Sequence, residues 1–139
     1  KETLRLHPAA WYAERTPLED TQLGEYAVPK GTPVSICVYA LHSDPRYFEQ
    51  PDQFIPERFA PGNIEKIHRY TYLPFGLGAH QCIGNQFALI EGQLILATMA
   101  ARVDLSLPEN YVPKPRAFIT YGIENGLPMR VGMRQPPLA

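Results

Sequence analysis

The chain has 139 residues, 45% apolar and 19% charged, with a net charge of −1; this excludes a disordered chain and leaves no basic surface for nucleic acid or an anionic membrane. Fifteen prolines, about twice the usual ~5% share, remove backbone donors throughout and argue against a helical bundle. Cys37 and Cys82 lie far apart with no C-x-x-C spacing, so a disulfide scaffold and a zinc ribbon are both disfavoured and reduced thiols are expected.

Residues 1–6 are strong helix formers that stop at His7-Pro8. Six residues without an N-cap are too few for a stable helix in isolation, so the sequence reads as beginning inside a helix, and nothing about targeting follows. Residues 9–15 have short extended character, Pro29-Lys30-Gly31 supplies turn chemistry, and the β-branched run 32–38 predicts a strand. Asp44-Pro45 has the form of a cap followed by proline at the first helical position, which predicts a short helix ended by Pro51. From 51 to 74 no period holds.

Residues 83–101 contain no proline, and Phe87, Ile90, Leu94, Ala97 and Ala101 recur at spacings of three and four, the pattern of a buried helix face. Ala88, Leu89, Ile95, Leu96 and Met99 make its other sides apolar too, which places such a helix in the middle of a larger protein. Strands are predicted over 102–107 and 118–123, and Asn125-Gly126 is a two-residue hairpin signal leading into 127–132. The class these elements describe is α+β, with no internal repeat or low-complexity tract.

The most informative segment is Phe75-Gly76-Leu77-Gly78-Ala79-His80-Gln81-Cys82-Ile83-Gly84, a glycine-rich loop running into the long apolar helix. A cysteine at a helix start meets unpaired N–H groups and the positive end of the dipole, which favour the thiolate that metal ligation requires. Gly76, Gly78 and Gly84 permit unusual φ values and close backbone approach. A lone cysteine is more often an inert buried residue, but here its loop argues otherwise. A phosphate cradle lacks its Gly-Lys-Ser/Thr ending, and a zinc site has only Cys82 and His80 close together.

The loop resembles the cytochrome P450 haem signature F-x-x-G-x-x-x-C-x-G at every fixed position, and two more signatures follow the family's order: Glu2-Thr3-Leu4-Arg5 as E-x-x-R and Pro56-Glu57-Arg58-Phe59 as P-E-R-F. The resemblance runs over residues 1–139 and implies the C-terminal, haem-binding part of the cytochrome P450 fold: the end of the K helix, small β-sheets, meander, cysteine loop, L helix and C-terminal β-hairpin, with the N-terminal part missing. It implies haem b as cofactor, with Cys82 as axial ligand and catalytic residue, and Phe75, Gly76, Gly78, His80, Ile83, Gly84 and Ala88 around the macrocycle. His80 and Arg15 would hold propionates, although a histidine is a less dependable cation than arginine at neutral pH. Glu2, Arg5 and Arg58 would form a buried ion network, where the residues alone read as a solvated i,i+3 surface pair. Ala10, Trp11 and Ile119 fall in the segments that contact substrate, Lys66, His68 and Arg69 form either a solvated basic loop or a docking face, and Cys37 reads as structural.

The activity implied is insertion of one oxygen atom of dioxygen into a small apolar organic substrate, with NAD(P)H-derived electrons from a ferredoxin or flavoprotein reductase; the segment 82–91 leans toward bacterial fatty-acid-hydroxylase-like members. A haem-thiolate isomerase, dehydratase or peroxygenase, or a non-catalytic haem-binding protein, would share these motifs. No nucleic-acid partner and no membrane segment is expected, the setting reads as cytoplasmic, and these residues by themselves are expected to be inactive because no distal helix covers the oxygen face.

Overall fold

Helix α1 (Glu2–Leu6) stops at His7, whose φ of −132° is the extended backbone that a following proline imposes. The structure, a computed structural model, describes residues 1–134. These divide into two compact units, one made of Lys1–Gly76 with Ala117–Tyr121, the other of Leu77–Arg116 with the described residues from Gly122 onward.

In the first unit, β1 (Tyr12–Arg15) pairs antiparallel with β4 (Val34–Cys37), setting Tyr12 opposite Cys37 and Arg15 opposite Val34. Between them β2 (Thr21–Leu23) and β3 (Tyr26–Val28) form a hairpin that the sequence reading passed over; its cue is Gly24, which takes φ +60° at the first position of the two-residue turn. The turn at 29–31 forms as expected, with Gly31 at φ +81° donating to the Pro17 carbonyl and the Lys30 N–H donating to Asp20.

Two expectations fail here. The β-branched run does not stay extended through Val38, because α2 (Val38–His42) begins there: burying Val38 and His42 outweighs strand propensity, and the Tyr39 N–H is satisfied by the Trp11 carbonyl. Nor does Asp44-Pro45 start a helix. The Tyr47 and Phe48 N–H groups both return to the Asp44 carbonyl, giving a single turn, and Gln50 at φ +49° then reverses the chain before Pro51. Beyond it, aperiodic as expected, lie only short 3-10 turns at Pro56–Phe59 and Ile64–Lys66.

The core of this unit is half polar: Val28, Val38 and Phe48 are buried together with Glu2, Arg5 and His42. Arg5 is wholly buried and donates four hydrogen bonds from its guanidinium fork, with Nε and Nη2 donating to the two Glu2 oxygens at 2.8 Å each, Nη1 to the His42 carbonyl at 2.8 Å and Nη2 also to the Gln53 carbonyl at 3.0 Å. The Ile55 N–H donates to Glu2 Oε1, and Arg58 places Nε 3.5 Å from the same oxygen while Nη2 donates to the Gln50 carbonyl. Phe48 lies under the Arg5 guanidinium, 5.2 Å from ring centre to Cζ. The Glu2–Arg5 pair is thus a buried node rather than a solvated surface pair. Burial pushes the Glu2 carboxyl up, but the Arg5 and Ile55 donors and the two cationic neighbours outweigh it and hold the group below its ordinary value.

His42 extends this node. Its Nδ1 meets the Arg5 carbonyl at 3.2 Å and its Nε2 accepts the Leu73 N–H at 2.8 Å, while Tyr72 stacks on the ring at 5.3 Å and donates its hydroxyl to the Lys1 carbonyl. Burial pushes the imidazole down to about 4.

In the second unit, α3 (Asn85–Arg102) forms as its pattern predicts, but the expected buried face is exposed: Phe87, Ile90 and Leu94 keep 58–72% of their surface, and no residue of the helix is buried. Antiparallel β5 (Val103–Ser106) and β8 (Arg130–Met133) follow, tied by the Arg134–Asp104 ion pair. β6 (Pro115–Ala117), which was not anticipated, pairs with β7 (Tyr121–Ile123), and the residues from Ala117 to Tyr121 count with the first unit; the strand expected over 118–123 keeps only its last part, since 118–120 form the turn. Asn125-Gly126 makes the expected tight turn, both residues at positive φ, yet it joins no hairpin: β7 belongs with β6 and β8 with β5.

Glu2→Ala in the intact protein should cost about 3–5 kcal/mol, because the buried Arg5 guanidinium and the half-buried Arg58 lose their anion. Denaturant unfolding measures it, and an unchanged midpoint would contradict the network. The ordinary imidazole value is 6.5, so between pH 6.5 and about 4 the unfolded chain binds a proton at His42 that the folded one refuses. Stability should therefore fall over that window by ~3 kcal/mol and lose nothing further from this group below it. Urea midpoints across pH, compared with His42→Gln, read the effect; identical curves would refute it.

Candidate functional site

The loop over 75–84 is built from two glycine reversals and a short 3-10 turn. Gly76, at φ +73°, donates its N–H to the Leu73 carbonyl; Gly78, at φ +71°, opens the 3-10 turn Gly78–His80, which the Gln81 N–H closes onto the Gly78 carbonyl. Both positions need glycine, since an L side chain there costs about 1–2 kcal/mol. Gly84 does not: its φ of −85° is ordinary, and it serves as the N-cap of α3. Cys82 therefore does not open the helix as expected but precedes it by one reverse turn, its carbonyl accepting the Asn85 N–H at 3.4 Å, because Gly84 takes the N-cap position and Asn85 is the first helical residue.

Cys82 is a free, exposed thiol. Around it the second unit presents exposed apolar side chains at Leu77, Ile83 and Phe87, and no side chain at Gly84, where an added Cβ would stand 3.9 Å from Sγ. Among the described residues no three His, Cys, Asp or Glu side chains gather as a metal-binding cluster. His80 and Ala88 are exposed in the same unit, Ala88 donating its N–H to the Gly84 carbonyl.

In the first unit Phe75 is half-buried, and Arg15 is exposed with Nη1 on the Glu14 carbonyl. Ala10 and Ile119 are exposed, while Trp11 is half-buried and donates Nε1–H to the Phe118 carbonyl at 2.8 Å, which brings the two segments expected to meet substrate side by side. The Tyr121 N–H adds a second tie to the Ala9 carbonyl, and Tyr39 with burial pushes the Tyr121 hydroxyl up to about 12. Lys66 and Arg69 are spent locally, on Asn63 and on the Tyr70 ring, as a solvated loop would have them. Cys37 ends β4 as a free, exposed thiol. A cavity of about 570 Å³ bounded by Phe48, Ile55, Arg58 and Lys66 includes none of the loop residues 75–84.

The cytochrome P450 family model matches residues 1–123. The chain belongs to the cytochrome P450 family. Mouse "Cytochrome P450 4V2" is 50% identical over 97 residues, 70% of this chain and 18% of that protein. "Cyclooctat-9-en-7-ol 5-monooxygenase" of Streptomyces melanosporofaciens is 44% identical over 101 residues, 73% of this chain and 22% of that protein. The crystal structure of the cytochrome P450DA heme domain superposes with a TM-score of 0.90 at 34% identity, covering 97% of this chain and 30% of that one. This P450 chain thus spans about a fifth to a third of the proteins it matches, and a mammalian relative is as similar as a bacterial one.

The donor set fits the family's haem. A macrocycle that brings its own four in-plane nitrogens needs one axial donor and an apolar surface, and the loop offers one free thiol among apolar side chains with no rival ligand cluster.

Gly78→Ala should lower stability by about 1–2 kcal/mol through backbone strain alone, since nothing lies within 4 Å of the added Cβ. Gly84→Ala should cost less, about 0.5–1 kcal/mol, because its φ is ordinary and only the poorer N-capping of alanine is lost. Chemical denaturation of both variants checks the order, and a reversed order would contradict the loop's backbone.

Proposed function

We propose that the intact protein is a haem-dependent monooxygenase that inserts one oxygen atom of dioxygen into a small apolar organic substrate, with the Cys82 thiolate as axial ligand. The observation that carries it is the free thiol of Cys82, exposed between a glycine-bent loop and an apolar helix in a chain of this family. The monooxygenase name of the Streptomyces relative supports the same reaction class. Bound haem supplies dioxygen activation, using NAD(P)H-derived electrons passed by a ferredoxin or flavoprotein reductase.

The chain's own residues have narrower tasks. Cys82 would hold the haem iron through its thiolate, which would donate electron density to it. Gly76 and Gly78 bend the loop at positive φ, and Phe75, Ile83, Gly84 and the small Ala88 would pack against the haem. His80 and Arg15 would hold its propionates by charge-assisted hydrogen bonds. Ala10, Trp11 and Ile119 form part of the substrate wall, with the Trp11–Phe118 hydrogen bond keeping the two segments in register.

The wild-type protein should give a thiolate-type ferrous–CO band and Cys82→Ser should lose it. His80→Ala and Arg15→Ala should keep the band yet release haem several-fold faster to an apo acceptor. A wild-type band of the histidine type, or a thiolate band surviving in Cys82→Ser, would overturn the assignment.

A further inference from the structure

We propose that His42 is a positioning residue for the entry to the cysteine loop: its imidazole ties the backbone at Leu73 to α1 and so holds the peptide on which Gly76 makes the first glycine reversal before Cys82. This rests on the reading of Cys82 as axial ligand.

The ring is wholly buried, so water cannot satisfy either nitrogen. Nε2 accepts the Leu73 N–H at 2.8 Å and must therefore be unprotonated; the proton sits on Nδ1 and is donated to the Arg5 carbonyl at 3.2 Å. Burial keeps the ring neutral, so the acceptor at Nε2 persists at ordinary pH. The segment it holds has little else to fix it. Between Pro51 and Gly76 the backbone makes only short turns, and the Leu73 N–H belongs to no strand or helix. The Leu73 carbonyl then accepts the Gly76 N–H, the bond that forms the first glycine reversal of the loop. A continuous line of hydrogen bonds thus runs from the Arg5 carbonyl through the imidazole and the Leu73 peptide to Gly76. Tyr72 steadies the same point by stacking on the ring and bonding Lys1. Volume alone does not reproduce this, because the line needs an acceptor at the Nε2 position.

Two amides separate the bonds. A glutamine can place its amide oxygen near Nε2, whereas an asparagine reaches only the Nδ1 position. In the intact, haem-loaded protein, His42→Gln should keep the wild-type thiolate-type ferrous–CO band. His42→Asn should convert a large share to a non-thiolate band at similar haem content, and its Leu73 amide should exchange hydrogen about tenfold faster, as loss of one hydrogen bond of ~1.4 kcal/mol implies. Should neither variant fold, nitrogen NMR of the histidine-labelled wild-type ferrous–CO form decides: an unprotonated Nε2 on His42 supports the proposal and a protonated one overturns it. Equal bands in both variants with unchanged Leu73 exchange overturn it while leaving Cys82 as ligand. A wild-type protein without the thiolate band sinks the Cys82 assignment instead, and this proposal with it.

Discussion

The first unit depends on one buried carboxylate. Glu2 sits on a helix too short to be stable by itself, in a core holding few large apolar side chains; it accepts from Arg5 and from the Ile55 backbone and lies 3.5 Å from the Arg58 Nε as an ion pair. Removing an ion from water is costly, and the cost is offset only when every remaining lone pair and proton finds a partner. Arg5 goes furthest toward that condition by also donating to the His42 and Gln53 carbonyls, whereas the buried Arg58 Nε makes no hydrogen bond. The network therefore fixes where α2 ends and where the 50–58 segment lies, and neither has a sheet or long helix to hold it.

The loop that carries Cys82 is ordered by different means. Glycines at positive φ, a 3-10 turn and a capped helix start shape it locally, with no buried side chain on α3. Its side chains are left open: the Cys82 thiol is exposed, as are the apolar side chains of Leu77, Ile83 and Phe87. Order thus comes from polar burial in one unit and from local backbone turns in the other.

What the sequence made legible follows this division. Short motifs whose residues do their own work could be read directly, as with the glycine loop and the proline-free helix, whereas Glu2 and Arg5 alone read as a surface pair and only the family resemblance pointed to their burial. Features set by tertiary burial could not. Val38 turns helical because it is buried, and Asp44-Pro45 yields one turn because Gln50 reverses the chain. Asn125-Gly126 makes its turn but cannot choose its strands' partners, which lie elsewhere in the chain. His42 gave no cue beyond its place after the apolar run 38–41, since both bonds it makes are to backbone groups far away in sequence.

That so many partners of the ion network are backbone groups bears on which mutations the chain can absorb. The carbonyls of His42, Gln50 and Gln53 and the N–H of Ile55 exist whatever side chains those positions carry. A codon change at 53 or 55 leaves the donor or acceptor in place as long as the backbone path is kept, with proline at 55 the exception because it has no N–H. The genetic target for disrupting this network is therefore small, a few codons for Glu2, Arg5 and Arg58, although the structure it supports extends across more than fifty positions of chain.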